Sequence, residues 1–277
     1  MAVNSPHHIL ISVVLPCYKD APHLGRNVQK IAQTLDLLRS PYEIILVDDA
    51  SPDGTGAVAD EIAEELGQTR VSVIHHGQNR GRGGAFLSGA RQARGEIVGY
   101  LDVDLEVSCA YLPECIRLIV NEGADLVIGQ RHYRLNLGLI HRHIVSRCYA
   151  RLVSTVLGIP KFLDSESGYK FFRRTALEPY LDSFIHEGWF WDTEVTSRFH
   201  DDDRRIASLP CLFQRDDGKE STVRVFRDAI EYAINLLKYQ RARRAFRKAI
   251  QTPPCPQQTA SGAAWLRGEL VVERGLE

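Results

Sequence analysis

Short apolar runs alternate with helical stripes through the first half of the chain, and no other feature limits its fold as much. ISVVLP (11–16) is rich in β-branched residues and ends at a proline. Leu24, Val28, Ile31, Leu35 and Leu38 then recur at three and four, which predicts an amphipathic helix. EIILVDD (43–49) reads as a second strand, and the turn-rich ASPDGTG follows it. Val58, Ile62 and Leu66 mark a helix that stops at Gly67. VSVIH (71–75) is the third strand, and NRGRGGA leads into a helix over about 84–94. EIVGYL (96–101), a helix over about 111–121 and ADLVIG (124–129) complete the series. Near-continuous apolar strands separated by helices imply an α/β fold, a parallel sheet covered on both faces. Such sheets bind ligands outside the carboxyl ends of their strands.

That rim is where acidic residues gather. Asp102 and Asp104 follow the fourth strand, with Glu106 two positions on. In an extended D-x-D, alternate side chains point the same way, so both carboxylates reach one hard cation, Mg2+ or Mn2+. Glu106 keeps the same parity if the chain stays extended. An exposed acidic loop is the bland competitor. Asp48 and Asp49 end the second strand, where a carboxylate can accept from a nucleobase N–H or a ribose hydroxyl; turn chemistry is the alternative. NRGRGGA (79–85) opens a helix, whose N-terminus favours anions, and its glycines permit close backbone approach. It is neither GxGxxG nor a phosphate loop, so Rossmann dinucleotide binding and P-loop hydrolysis lose support; a structural turn competes equally.

Composition narrows the class further. The 277 residues are 44% hydrophobic and 25% charged, with a formal net charge of −1, so the whole chain does not read as a nucleic-acid binder. Cys17, Cys109, Cys115, Cys148, Cys211 and Cys255 form no CxxC, and the expectation is small buried hydrophobes in a reducing cytosol. Ile9 to Leu15 has neither the charged flank nor the cleavage site of a signal peptide, and no window is apolar enough to span a bilayer. A cytoplasmic protein is expected, with peripheral membrane contact open to it.

Taken together, VVLPCYKD, EIILVDDASPDGT, NRGRGGA, YLDVDLE and DSESGYKFFRR resemble the motifs of family 2 inverting glycosyltransferases, which have the GT-A fold. The likeness covers about residues 10–240 and is strongest to dolichyl- or polyprenyl-phosphate mannose or glucose synthases. NRGRGGA and EGWFWDTEV (187–195) look more like the glucose-transferring branch. The resemblance implies a single GT-A domain, α/β, with a mostly parallel central sheet, helices on both faces and a C-terminal amphipathic helix. It assigns donor binding to Pro16, Tyr18 and Asp20, to the nucleoside-holding pair Asp48 and Asp49, to Arg82, and to Asp102, Val103 and Asp104. Asp102 and Asp104 match the metal- and diphosphate-binding DxD, with Glu106 as a third candidate ligand. Lys19-Asp20 stands where the family usually has Asn-Glu, and Glu106 where it often has Gln, which adds negative charge beside the metal. In DSESGYKFFRR, Asp164, Ser167, Gly168 and Lys170 match an element that lines the acceptor side. Arg215 and Lys219 lie where the family often carries phosphate-binding basic residues. Trp189, Trp191, Asp192 and Glu194 follow the SGYK element, and core packing is expected for at least one tryptophan.

The implied activity is metal-dependent transfer of a hexose from a UDP- or GDP-sugar to a polyprenyl or dolichyl phosphate. Such a phosphate is ionised near neutral pH and asks for basic residues; Lys170, Arg131 and Arg215 are the candidates. A soluble hydroxyl acceptor would instead need a general base, Asp192 or Glu194. Other classes remain: a nucleotidyltransferase or a catalytically silent nucleotide-sugar sensor shares the acidic rim. A receiver domain also ends a strand in VDD, but on its first strand and in a shorter chain. Residues 1–221 read as the catalytic domain, with the nucleotide sugar bound by about 10–130 and the acceptor by about 131–221. Residues 222–250 carry eight Lys/Arg against two Asp/Glu beside an apolar stripe from Val223 to Leu237, as in a basic amphipathic helix on an anionic membrane. A helix packed on the catalytic domain is the alternative. The Pro/Gln/Ser-rich start of 251–277 reads as a flexible tail.

Overall fold

A computed structural model describes residues 10–133, 151–160, 163–214 and 232–243. The chain forms two compact units, Met1–Leu236 and Leu237–Glu277. The first holds a seven-stranded sheet. Its strands are β1 (Ile11–Cys17), β2 (Tyr42–Asp48), β3 (Val71–His75), β4 (Ile97–Leu101), β5 (Leu126–Tyr133), β6 (Tyr169–Arg173) and β7 (Ile206–Phe213), in the spatial order β3-β2-β1-β4-β6-β5-β7. The described helices are α1 (Ala21–Asp36), α2 (Thr55–Leu66), α3 (Gly81–Gln92), α4 (Leu112–Val120), α5 (151–157), the single turn α6 (Arg174–Leu177) and α7 (Trp191–Asp201). Residues 232–236 of the first unit are also helical, as are residues 237–243, the described part of the second unit.

Side-chain alternation gives the sheet its two faces. Ile11, Val13 and Leu15 of β1, with Ile44 and Leu46 of β2, pack in one core with Leu24, Val28, Ile31 and Leu35 of α1 and Ala59 and Ile62 of α2. Val14 and Val47 face the other way, toward α3, where a Cβ on Gly89 would collide with Val14. Gly67 ends α2 at φ 91°, a left-handed value that glycine adopts without strain.

The sheet is mostly parallel, as the strand–helix alternation and the GT-A resemblance implied, with one strand reversed. β6 runs antiparallel between β4 and β5, with Tyr100 opposite Lys170 and Ile128 opposite Lys170 on the other side. The other six strands are mutually parallel. YKFFR carries a lysine and an arginine, so its burial as a central strand is a long-range outcome that local hydrophobicity does not signal. β5 runs four residues past the expected end at 129, because β7 pairs with it as far as Tyr133 and Phe213. Arg131 therefore lies within the strand and not beyond its end. α3 starts at Gly81, three residues before the expected start, so the glycines of NRGRGGA form its first turn. Cys17, Cys109, Cys115 and Cys211 are buried, as expected of small hydrophobes. No helix among the described residues is long and apolar enough to cross a membrane.

Candidate active site

Parallel strands β1 to β4 end at one rim, and the antiparallel β6 begins there, since Leu101 pairs with Tyr169. Segments from distant parts of the chain thus meet at a single edge. Three non-glycine residues at this rim are left-handed: Lys19 after β1 (φ 61°), Ala50 after β2 (φ 57°) and Leu105 after β4 (φ 57°). Each such residue costs roughly 1–2 kcal/mol, and strain of this kind gathers where a backbone is bent for function.

After β1, the amide of Tyr18 donates to Asp20 (2.9 Å), and the buried Thr55 hydroxyl accepts from the amides of Asp20 and Ala21 at 2.9 and 3.0 Å. Tyr18 is largely exposed, Pro16 half-buried and Asp20 buried. After β2, Asp48 accepts from the Ser51 amide (3.1 Å) and faces His75 at 3.5 Å. Asp49 is 3% exposed and accepts from the amides of Arg80 and Gly81, both at 2.8 Å, and faces His76 Nδ1 at 2.7 Å. These contacts cap the start of α3 internally, and the Gly84 amide adds a bond to the Glu187 carbonyl (2.8 Å). A Cβ on Gly83 would stand 2.5 Å from Trp191 Cβ. The glycines of NRGRGGA therefore admit the 187–191 segment, the structural alternative to a ligand cradle. The histidines gave no sequence signal of their own; register pairs His75 with Asp48 and so delivers them to the acidic rim.

β4 ends at Leu101, and Asp102 does not continue it. The Leu105 amide donates to the Asp102 carbonyl (3.2 Å), which closes a turn over Val103 and Asp104. The extended alternation expected for Asp102, Asp104 and Glu106 is thus replaced by a turn, and the left-handed Leu105 takes Glu106 off the expected parity. The Glu106 amide donates to Asp104 (3.2 Å). Buried Asn27 of α1 holds the turn through the Val103 carbonyl (2.9 Å).

Arg82, in the first turn of α3, is the hub of the site. Its Nη2 donates to both Asp102 oxygens, at 2.8 and 3.1 Å. Its Nε donates to the Tyr100 hydroxyl and lies 3.4 Å from Asp192 Oδ2. The Trp189 ring lies over the guanidinium, 4.4 Å from its centroid. Gly168 makes this possible, because a Cβ there would overlap both Asp102 and Arg82. Asp192, from the first turn of α7, is 1% exposed and takes the Lys170 ammonium on Oδ1 at 2.7 Å. Lys170 is fully buried and also donates to the carbonyls of Ser165 and Ser167. It has no exposure to solvent, and burial lowers its pKa against the pull of Asp192.

Arg131 forms a two-point pair with Asp164 at 2.7 and 2.9 Å, so its charge is already engaged. Arg215 and Lys219 lie outside the described residues. Ser167 is buried with its hydroxyl unpaired, and Asp192 Oδ2 is buried with the Arg82 ion pair but no hydrogen bond. Glu194 is consumed by structure: it accepts from the amides of Ile185 and His186 and pairs with Arg198. Trp191 is the core tryptophan, packed on Phe86 and Tyr100, whereas Trp189 is 50% exposed. Sequence reasoning missed Glu166, a neighbour of this network whose pKa rises to about 7 through burial, with Asp164 and Asp192 adding and Arg131 opposing.

The electrostatics suit a cation. Burial, then Asp104 and Asp192, push Asp102 up to about 6 against the pull of Arg82; its side chain stays 44% exposed, so solvent tempers the effect. Crowded oxygen donors fit a hard divalent ion. Among the described residues no three His, Cys, Asp or Glu side chains form a ready-made cage, so such an ion would need oxygens from substrate or water.

Comparison with known proteins agrees with this layout. The family model for glycosyl transferase family 2 matches residues 12–181. Glycosyltransferase AglD of Haloferax volcanii is 32% identical over 219 residues, which cover 77% of this chain and 35% of AglD; the chain spans about a third of that relative. A dolichyl-phosphate beta-glucosyltransferase of Saccharomyces cerevisiae is 28% identical over 250 residues, 83% of this chain and 73% of the relative. Among solved structures, glucosyl-3-phosphoglycerate synthase from Mycobacterium tuberculosis, in complex with Mn2+, UDP-glucose and phosphoglyceric acid, aligns with a TM-score of 0.62. It is 21% identical, with 84% of this chain and 80% of that one covered. The mannosyltransferase PcManGT from Pyrobaculum calidifontis, with GDP-Man and Mn2+, aligns at 0.53 and 18% identity, covering 91% and 67%. At these identities the likeness is one of fold, and the fold is the GT-A type.

Proposed function

The chain belongs to glycosyl transferase family 2, and on that premise we propose that it moves a hexose, with inversion, from a nucleotide sugar to a polyprenyl or dolichyl phosphate. The observation that carries this reading is the rim itself: Asp102 and Asp104 share it with Asp48 and Asp49, and Asp102 is joined through Arg82 to Asp192. The likeness to a dolichyl-phosphate beta-glucosyltransferase over 83% of the chain supports glucose as the sugar and a lipid phosphate as the acceptor.

Asp102 and Asp104 would hold Mg2+ or Mn2+, which when bound supplies positive charge to the departing nucleoside diphosphate. Pro16, Tyr18, Asp20 and Asp48 serve the nucleoside, and Asp49 serves it in part by fixing the start of α3. Arg82 supplies a guanidinium beside the diphosphate, and Trp189 shields it from water. The Lys170 ammonium keeps Asp192 aligned, so that Asp192 in turn orients Arg82. The phosphate acceptor attacks already ionised and needs no base. For a hydroxyl acceptor, Asp192 would be the base, since Glu194 has no oxygen to spare.

The enzyme works at the cytosolic face of a membrane in this reading, with Arg241, Arg243, Arg244, Arg247 and Lys248 toward anionic lipid. Exposure of Ile234 (47%) and Leu237 (53%) supports such contact. Most of the basic segment 222–250 and all of 251–277 lie outside the described residues.

The test supplies UDP-glucose or GDP-mannose, radiolabelled in the sugar, with Mn2+ and dolichyl phosphate in vesicles. Label in the lipid extract, released by mild acid, is the expected result. Label confined to a soluble glycoside when an alcohol is offered, and lost in Asp192→Asn, would replace this reading with the hydroxyl-acceptor one.

A further inference from the structure

We propose that Arg82 is a resident counter-ion of the metal-binding carboxylate: it holds Asp102 until a divalent cation and a nucleoside diphosphate arrive together, and so makes their binding cooperative. This inference rests on the metal-dependent reading above. Its basis is the way the guanidinium is shared. One nitrogen, Nη2, covers both oxygens of Asp102 at 2.8 and 3.1 Å, which are the atoms a cation would need.

The rest of the side chain is anchored elsewhere. Nε is fixed by the Tyr100 hydroxyl and by the charge of Asp192, 3.4 Å away, and the Trp189 ring covers one face. Arg82 is 13% exposed, whereas the Asp102 side chain is 44% exposed. Asp102 thus has an open side, and Arg82 does not. A cation entering from solvent meets a carboxylate whose oxygens are already taken by a positive group that cannot leave.

A metal ion alone therefore pays twice. It breaks a charge-assisted pair and leaves a buried guanidinium beside a dication. A nucleoside diphosphate removes both penalties, because its oxygens accept the hydrogen bonds that Asp102 gives up. The coupling must be reciprocal, so metal strengthens nucleotide binding by the same factor. Arg82 acts here as a positioning residue through Asp102. Gly168 belongs to the same device, because any larger residue would separate Asp102 from Arg82.

The experiment titrates the full chain with Mn2+, following the electron paramagnetic resonance of the free ion, with and without UDP or GDP. Wild-type protein should bind Mn2+ weakly alone and about tenfold or more tightly with a nucleoside diphosphate. In Arg82→Gln, Mn2+ alone should bind about tenfold more tightly than in wild type, and most of the coupling should vanish. A purely structural role would leave metal affinity unchanged or lower it. If Arg82→Gln fails to fold, as judged by circular dichroism, Tyr100→Phe serves: it removes one of the two anchors of Nε, together with the 3.4 Å bond from the Tyr100 hydroxyl to Asp102, and should shift Mn2+ binding in the same direction by a smaller factor. Unchanged or weaker Mn2+ binding in the folded variant overturns the proposal, as does independent binding of metal and nucleotide by wild type. Absence of Mn2+ binding in every protein, nucleotide present, overturns the metal reading and this proposal with it.

Discussion

Lys170 carries its ammonium with none of the residue in water, held by Asp192 and two carbonyls. Removing one member of a buried pair strands the other, at a cost of about 3–5 kcal/mol. Lys170→Met should lower stability by that order in urea unfolding, and Lys170→Met/Asp192→Asn should recover part of the loss; additive losses would show that the pair is not coupled. Asp104 behaves oppositely, being half-buried on the rim turn. Asp104→Ala should leave the melting temperature within a degree or two, about what a change below 0.5 kcal/mol gives. Transfer should fall more than about a hundredfold, the rate equivalent of losing several kcal/mol of charge stabilisation. Full turnover in metal-free buffer would refute that. The motif named both residues from sequence, yet only position in the sheet separates them. DSESGYK does not reveal that its lysine enters a strand flanked on both sides, whereas Asp102 and Asp104 directly follow an apolar run whose end marks a rim.

The start of α3 was legible as a glycine-rich helix entry, but not as a surface for another segment. Three local glycines fit either role, and only the arrival of Glu187 to Trp191 decides. Asp49 binds the two amides that open this helix. Asp49→Ala should therefore cost about 2 kcal/mol, the upper range for a lost cap, besides weakening nucleotide affinity. Asp49→Asn, which keeps an acceptor, should cost less. Denaturation midpoints and nucleotide titration separate the two effects, and an unchanged midpoint in the alanine variant would deny the capping role. At the other end of the sheet, Glu43 of β2 joins β1 to the turn before β4. It accepts from Ser12 (2.6 Å) and, through Nε, from Arg94 (2.8 Å). Burial raises its pKa, but bonds from Ser12 and Arg94 outweigh this and hold it below the ordinary value. A depressed folded pKa stabilises above the unfolded value of about 4.3 and is lost as pH falls through the folded one. Wild type should exceed Glu43→Gln in stability at pH 7, and the gap should close as the pH falls below about 4. A gap that persists at low pH would show the bond to be independent of charge.

The whole molecule is nearly neutral, yet its basic residues are unevenly spread. Residues 241 to 248 hold Arg241, Arg243, Arg244, Arg247 and Lys248, and their sequence contains no Asp or Glu. Each is worth about 1 kcal/mol at an anionic surface at low salt. Changing all five to Gln should release the protein from anionic liposomes in flotation. Transfer to a polyprenyl phosphate in vesicles should fall more than transfer to a short water-soluble analogue; equal loss on both would place the effect in the active site. The strand order has a consequence of its own, during synthesis. β1 to β4 can assemble as soon as they leave the ribosome, but β5 pairs only with β6 and β7, both made later. At about 5–20 residues per second, β5 waits on the order of seconds with its backbone groups unpaired. Until β6 is made, β4 also keeps one unpaired edge. A stalled or truncated chain that ends before Tyr169 would carry three sticky edges that the finished protein hides, both of β5 and one of β4, and would be a client for chaperones and proteases.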